Sequence, residues 1–210
     1  MDDRDPPAAS DVAFSESVKA VQTRKGSRGA YARVEAGPGW PTRITPDLAA
    51  FVASMTGFFL ATASLDGQPH VQHRGGPPGF LRVLDETTLG FVDFTGNRQF
   101  VTLGNLAENP KALLFLIDHA TRRRIKIWGT ARVVEDDAGL IAALMPKDYR
   151  ARPAQVILFD VATWNANCPQ HIPQRFDAAD VAAALAARDD RIRDLEAEVA
   201  ALRRAAAAKG

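Results

Sequence analysis

Apolar positions along the chain change their spacing twice, and the changes divide it into three parts. Residues 1 to 43 carry only scattered apolar side chains among seven Lys/Arg and several Gly and Ser, and Gln22 to Arg33 is too polar to build a core of its own. That stretch reads as a polar N-terminal arm, either flexible or draped over a partner surface. Gly37-Pro38-Gly39-Trp40-Pro41 punctuates its end. A short helix follows: Thr45 suits the cap, Pro46 the first helical position and Asp47 the positive end of the helix dipole. Leu48, Phe51, Val52 and Met55 then form one apolar stripe.

From Gly57 to about Thr163 the spacing becomes that of strands. Strands are expected at Phe58–Ser64 and Gln68–Arg74 around an Asp66-Gly67 hairpin turn, then at Phe80–Leu84 and Thr88–Phe94. Ala112–Asp118 is an apolar run after Asn109-Pro110, as in a fully buried strand. Arg124–Val134 alternates long polar with apolar side chains, and Ala154–Thr163 is the last candidate. Short connections with only brief helices predict an antiparallel barrel or sandwich rather than a βαβ fold.

The third part, residues 177–210, is helical. Ala178 to Ala208 contains no Gly or Pro, and Val181, Leu185, Ile192, Leu195, Val199 and Leu202 recur at spacings of four and three, with Arg188 the one polar break. This is a heptad seam, expected to form a coiled coil, with packing on the chain's own barrel as the alternative. In a parallel pair, Arg191 of one copy meets Glu196 of the other, and Glu198 meets Arg203.

Composition narrows the function. With 26 Lys+Arg against 25 Asp+Glu, the formal charge of +1 argues against a generic nucleic-acid coat. The average hides a local excess, because residues 70 to 132 hold nine Lys/Arg and five Asp/Glu, which suits one small phosphate. No stretch is apolar enough to cross a membrane as a helix. The single cysteine, Cys168, excludes an internal disulfide and any zinc site needing two thiolates from one chain. The acidic start is no secretory signal, so a cytoplasmic setting is expected.

Four segments carry candidate chemistry. His70 to Arg82 runs from a His- and Gln-loaded strand into a Gly/Pro turn, which is either a ligand-approaching corner or a plain one. Asp93 to Gln99 leads into a helix start, with exposed amides beside Arg98 as a ready anion site; a simple Gly-Asn turn is the alternative. In the strand beginning near Arg122, residues Arg122, Arg124, Lys126 and Trp128 share one face, where like charges repel unless an anion or partner offsets them. Trp164 to Phe176 concentrates Trp, Cys, His, Gln and Arg just after the last strand. Cys168 reads as a packing cysteine rather than a nucleophile, and the His spacings do not suit a metal site.

Taken together and in order, GFFLATAS, HVQHRGGPPGFLRV, TLGFVDFTGNRQFVTLGNLAENPKALLFLI and RRRIKIWGTARVVEDD resemble the pyridoxamine 5′-phosphate oxidase-related, FMN-binding split-barrel family across residues 44–176. The GSRGAYAR arm and the CPQHIPQRF ending are similar to its flavin-nucleotide-binding subgroup. The resemblance implies a mainly β fold: a six-stranded antiparallel split β-barrel of Greek-key type, followed by the C-terminal helix. It further implies a homodimer with FMN in two equivalent interface clefts, and oxidoreductase chemistry on a small substrate with NADH or NADPH as a candidate reductant. A non-catalytic flavin carrier or sensor, or a binder of the deazaflavin F420, is the alternative. Matching positions for the phosphate are Arg74, Arg82, Asn97, Arg98 and Gln99, with Arg124 and Lys126 on a later strand. Gln72, His73, Asp93 and Trp128 are candidates around the flavin ring. Trp164, Gln170 and His171 stand where the family reaches the flavin of the other subunit, and His171 is the candidate proton donor. Where the vitamin B6 oxidase has a Trp followed by two spaced arginines, Trp164 here precedes NANCPQHIPQR, leaving only Arg175. Pyridoxamine phosphate oxidation is therefore not expected.

Overall fold

A computed structural model describes residues 7–167 and 169–208; Cys168 lies outside the described residues. The chain forms two compact units, residues 1–118 with 123–169, and residues 119–122 with 170–210.

The first unit opens with a 3-10 turn at Ala9–Val12, then helices α1 (Glu16–Lys25) and α2 (Arg28–Ala36). The stretch expected as a polar arm is thus largely helical. Gly26 ends α1 in the left-handed conformation at φ 79°, which lets α2 turn back. Arg28 pairs with Glu35, and its Nη1 also donates to Gln22 Oε1 at 2.9 Å. The Arg28 hydrogen bond holds the Glu35 carboxyl below its ordinary pKa. What the arm lacks in apolar residues it replaces with an aromatic chain. Phe14 meets Tyr31 at 5.1 Å and Trp40 at 5.0 Å, and Trp40 stacks on Trp128 at 5.1 Å.

Helix α3 (Pro46–Ser54) forms as its cap predicts: Thr45 Oγ1 accepts from the Leu48 amide at 3.3 Å, and Leu48, Phe51 and Val52 are buried. The strands are β1 (Gly57–Ala63), β2 (Pro69–Gly75), β3 (Arg82–Val83) and β4 (Thr88–Phe94). After α4 (Val101–Glu108) come β5 (Lys111–Asp118) and β6 (Arg123–Val134), then α5 (Ala138–Leu144) and β7 (Pro153–Asn167). All pairings are antiparallel, in the order β2-β1-β5-β6-β7-β4-β3. All seven strands read from the residues are present, one more than the six the family resemblance implies, and the strand expected at Phe80–Leu84 is cut to the two residues of β3. Phe80 and Leu81, both buried, lie outside its ladder with β4. Instead the Phe80 amide closes on the Pro77 carbonyl at 3.0 Å, with its ring over Gly76, where a Cβ would meet it at 2.6 Å. Conversely, β7 runs past Thr163 to Asn167 because its ladder with β6 continues to Arg124.

The barrel is open. β2 at one edge and β4 near the other are not paired, and side chains bridge the split. Phe58 on β1 stacks on Phe80 at 5.6 Å and meets Phe91 of β4 edge-on at 5.2 Å. Beneath them lies the core of Leu48, Leu60, Leu114, Ile125, Ile127 and Phe159. At Gly129 a bulge brings β6 and β7 so close that a Cβ would lie 2.0 Å from the Asp160 carbonyl oxygen.

In the second unit, Gln174 Nε2 donates to the Ala120 carbonyl at 2.8 Å and the Arg175 amide to the His119 carbonyl at 3.3 Å. Helix α6 (Ala178–Ala207) follows, 30 residues without a break. No helix among the described residues is long and apolar enough to cross a membrane, and no group of three metal-ligating side chains occurs among them.

Candidate functional site: a polar cleft at the split

The pleat of the sheet creates the site. Register places Phe58 beside Arg74, Leu60 beside Gln72 and Thr62 beside His70, so these β2 residues share the core-facing side of the sheet. On β1 that side is buried; β2 is an edge strand at the split, and its inward face opens into a cleft of about 560 Å³. The facing wall comes from the end of β4, the loop 95–99, the first turn of α4 and residues 152–155 at the start of β7.

At the base, Asp93 is 4% exposed. Arg74 Nη1 lies 2.5 Å from its Oδ1, and Gln155 Nε2 donates to its Oδ2 at 2.6 Å. Burial raises the Asp93 pKa, and Arg74 and Gln155 oppose that rise. Arg74 keeps its Nε–H buried with no hydrogen-bond acceptor.

The loop above is conformationally strained. Arg98 and Phe100 take left-handed φ of 59° and 54°, values that cost a side-chain-bearing residue energy. Asn97 Oδ1 steadies the turn by accepting from the Gln99 amide at 3.2 Å, and Phe100 caps α4 without a side-chain acceptor for the helix amides. The Arg98 guanidinium sits 5.8 Å from the Phe100 ring. The Thr95 amide donates to the Arg152 carbonyl at 2.9 Å, which places Arg152 on the same wall. Among the described residues neither Arg98 nor Arg152 has an ion-pair partner. Two guanidiniums without an ion-pair partner among the described residues, backbone amides at a helix start and an Arg74 offset by Asp93 give the cleft an excess of positive charge and hydrogen-bond donors.

The cleft brings together Gln72, Arg74, Asp93, Asn97, Arg98 and Gln99. The other expected residues lie elsewhere. His73 points to the opposite face of β2, against Phe59 at 5.5 Å. It shares a cross-sheet row with Phe59, Phe115, Lys126 and Asn165, and Arg124 and Trp128 lie on that same outer face of β6. Adjacent residues of one strand cannot line the same cleft, which separates His73 from Gln72 and Arg74. Trp128 is stacked under Trp40, and Asn165, its amide oriented to suit both neighbours, accepts from Trp40 Nε1 at 3.0 Å. Arg82 is exposed on β3. Trp164 is turned into its own core, and its Nε1 donates to the Arg43 carbonyl at 2.8 Å. Gln170 and His171 belong to the second unit, both exposed, with His171 at φ 64°.

His70, Arg152 and Gln155 also line the cleft and were not among the expected cofactor-binding residues. His70 was readable from strand alternation, two positions before Gln72. Arg152 and Gln155 carry no local signal, because they reach the cleft only through the pairing of β7 with β4, which sets Gln155 opposite Asp93.

An open antiparallel barrel with a polar, cationic cleft at its split defines a split-barrel protein. Residues 44–168 match the sequence family described as pyridoxamine 5′-phosphate oxidase, and the chain belongs to that family. No curated protein matches it. Among solved structures, similar ones include a candidate pyridoxamine 5′-phosphate oxidase from Lactobacillus delbrueckii (22% identity, TM-score 0.47, covering 60% of this chain and 95% of that one). Others are HupZ of Group A Streptococcus (18%, 0.46, 63% and 99%) and an FMN-binding protein from Syntrophomonas wolfei (10%, 0.46, 74% and 98%).

Proposed function

We propose that the cleft holds the phosphate end of FMN and that the protein is an FMN-dependent oxidoreductase acting on a small substrate as a homodimer. The observation that carries this reading is the pair of uncommitted arginines, Arg98 and Arg152, on a strained loop and strand start facing Arg74. The donor set fits the group: a phosphate dianion calls for two or three cations plus backbone donors, and the cleft offers both. Arg98 and Arg152 would neutralise the phosphate, with Asn97, Gln99 and the α4 amides as its neutral donors. Gln72 and His70 would hydrogen-bond the polyol beside it. Asp93, already engaged by Gln155, tempers the charge of Arg74 and keeps the cleft from holding anions indiscriminately. When bound, the flavin supplies hydride transfer at its N5.

The second copy would meet the outer sheet face, where Phe59 and Val71 are 38% and 60% exposed beside His73 and Lys126. Gln170 and His171 are then the residues to reach the partner's site, with His171 as proton donor.

The visible spectrum of the purified protein, before and after adding FMN, tests the cofactor. A yellow protein or a flavin spectrum gained on titration is expected; a colourless protein with no gain refutes the reading. Anaerobic mixing with NADH or NADPH should then bleach the flavin at a catalytic rate. A yellow protein reduced by neither points to a carrier or sensor, and preferential uptake of F420 to the deazaflavin reading.

A further inference from the structure

We propose that α6 pairs with α6 of a second copy as a parallel, in-register, two-stranded coiled coil. The inference starts from an unpartnered face. Across 30 helical residues the apolar side chains fall on one stripe, yet Leu185, Ile192 and Leu202 remain 54%, 52% and 62% exposed. The rest of its own unit is only the turn at 119–122 and the short segment before the helix.

The layers specify what covers it. Leu185, Ile192 and Val199 occupy one core position of the heptad, and Val181, Leu195 and Leu202 the other. From Ile192 onward the first position is β-branched and the second is leucine, the combination that favours two parallel strands. Arg188 is the one polar layer. In register it lies beside Asp189 of the other copy, so its charge is offset only when the two helices are aligned without slip. The flanking charges agree, since Arg191 meets Glu196 and Glu198 meets Arg203 across the pair.

In an antiparallel pair the facing positions change, and the register that joins Arg191 to Glu198 sets Asp189 against Glu196; helix length gives a second argument for orientation. A helix of 30 residues is about 45 Å long. An antiparallel pair would therefore separate the two copies' residues 170–176 by about that length, whereas a parallel pair sets them side by side. Only the parallel form suits a site to which Gln170 and His171 contribute from a second copy. This last argument rests on the shared-site reading above; the layer pattern does not.

Disulfide trapping tests the proposal in the full chain, with Cys168→Ser removing the native thiol. Leu195→Cys should cross-link to its own counterpart almost completely on mild oxidation, at least ten times more than Ala197→Cys on the outer face of the same helix. Cross-linking only in a mixture of Leu195→Cys with Val199→Cys would show an antiparallel pair and overturn the proposal. Equal trapping of Leu195→Cys and Ala197→Cys would reveal random collision and overturn it as well. A monomer by sedimentation whose Leu195→Cys thiol resists a thiol reagent would mean that the chain's own barrel covers the stripe, with the same consequence. As a second measurement, Arg188→Leu should make the pair dissociate at least tenfold less, by removing the polar layer; unchanged dissociation would count against the assigned layers. Flavin binding is scored separately: a trapped but colourless dimer leaves the coil standing and removes the FMN reading, and a yellow protein without trapping does the reverse.

Discussion

Replacing Arg74 by methionine isolates the electrostatics of the cleft. The long apolar side chain keeps much of the arginine's packing and removes its charge, leaving Asp93 at 4% exposure with Gln155 as its remaining partner. Breaking a buried ion pair from one side costs about 3–5 kcal/mol, because the surviving charge is uncompensated. The hydrogen bond from Gln155 holds the expectation to the lower half of that range, about 3 kcal/mol at neutral pH. The sign of the pH dependence follows from Asp93, whose folded-state pKa is already raised by burial. Above that raised value the folded state carries a buried carboxylate, and the cost is fully present. As pH falls through it, the carboxyl takes up a proton in the folded chain before it would in the unfolded one, and the cost is lost. Removing Arg74 raises the value further, so the destabilisation should be smaller at about pH 5 than at about pH 7.5. Urea unfolding at the two pH values measures it. Asp93→Asn added to Arg74→Met should recover most of the loss at neutral pH by removing the stranded charge. A loss below about 1 kcal/mol, or one equally large at both pH values, would refute the reasoning and leave the pair as a solvated contact.

Other expectations are independent of that pair. Arg98→Ala should weaken FMN binding by about 1.5–3 kcal/mol, the worth of a charge-assisted hydrogen bond, read by fluorescence quenching of the flavin; unchanged affinity removes Arg98 from the site. Phe58→Ala, at a residue 1% exposed between Phe80 and Phe91, should cost about 3–5 kcal/mol in chemical denaturation, since it empties the side-chain bridge across the split. Gly129→Ala forces a Cβ to within 2.0 Å of the Asp160 backbone, so β6 and β7 must separate. A loss of at least about 3 kcal/mol in thermal unfolding is expected, and a variant as stable as the parent would contradict the bulge geometry.

Much of the barrel was legible because its signals are local. The Thr45-Pro46-Asp47 start of α3, the Asp66-Gly67 turn and the alternation of β6 each need only a few neighbouring residues to be read. The strand expected at Phe80–Leu84 shrank to two residues because burying Phe80 and Leu81 together across the split outweighed their strand propensity. The arm's fate was equally non-local. Its helices are anchored through Trp40 on Trp128, 88 positions away along the chain, a contact no local pattern announces.

The cleft divides the same way. Sequence by itself determined the chemistry available: which stretches are strands, and where a helix start offers amides beside Arg98. It also determined the heptad seam of α6, since a period along one helix needs no partner to be visible. Only the tertiary structure decided which of those groups meet. Strand parity turned Gln72 and Arg74 into the cleft and His73 away from it, and sheet register carried Gln155 opposite Asp93 from 62 residues away. The open edge of the barrel then left that inward face uncovered. Periodicity is a property of one strand, but a cleft is made by the register between strands, and register is set by the whole core at once.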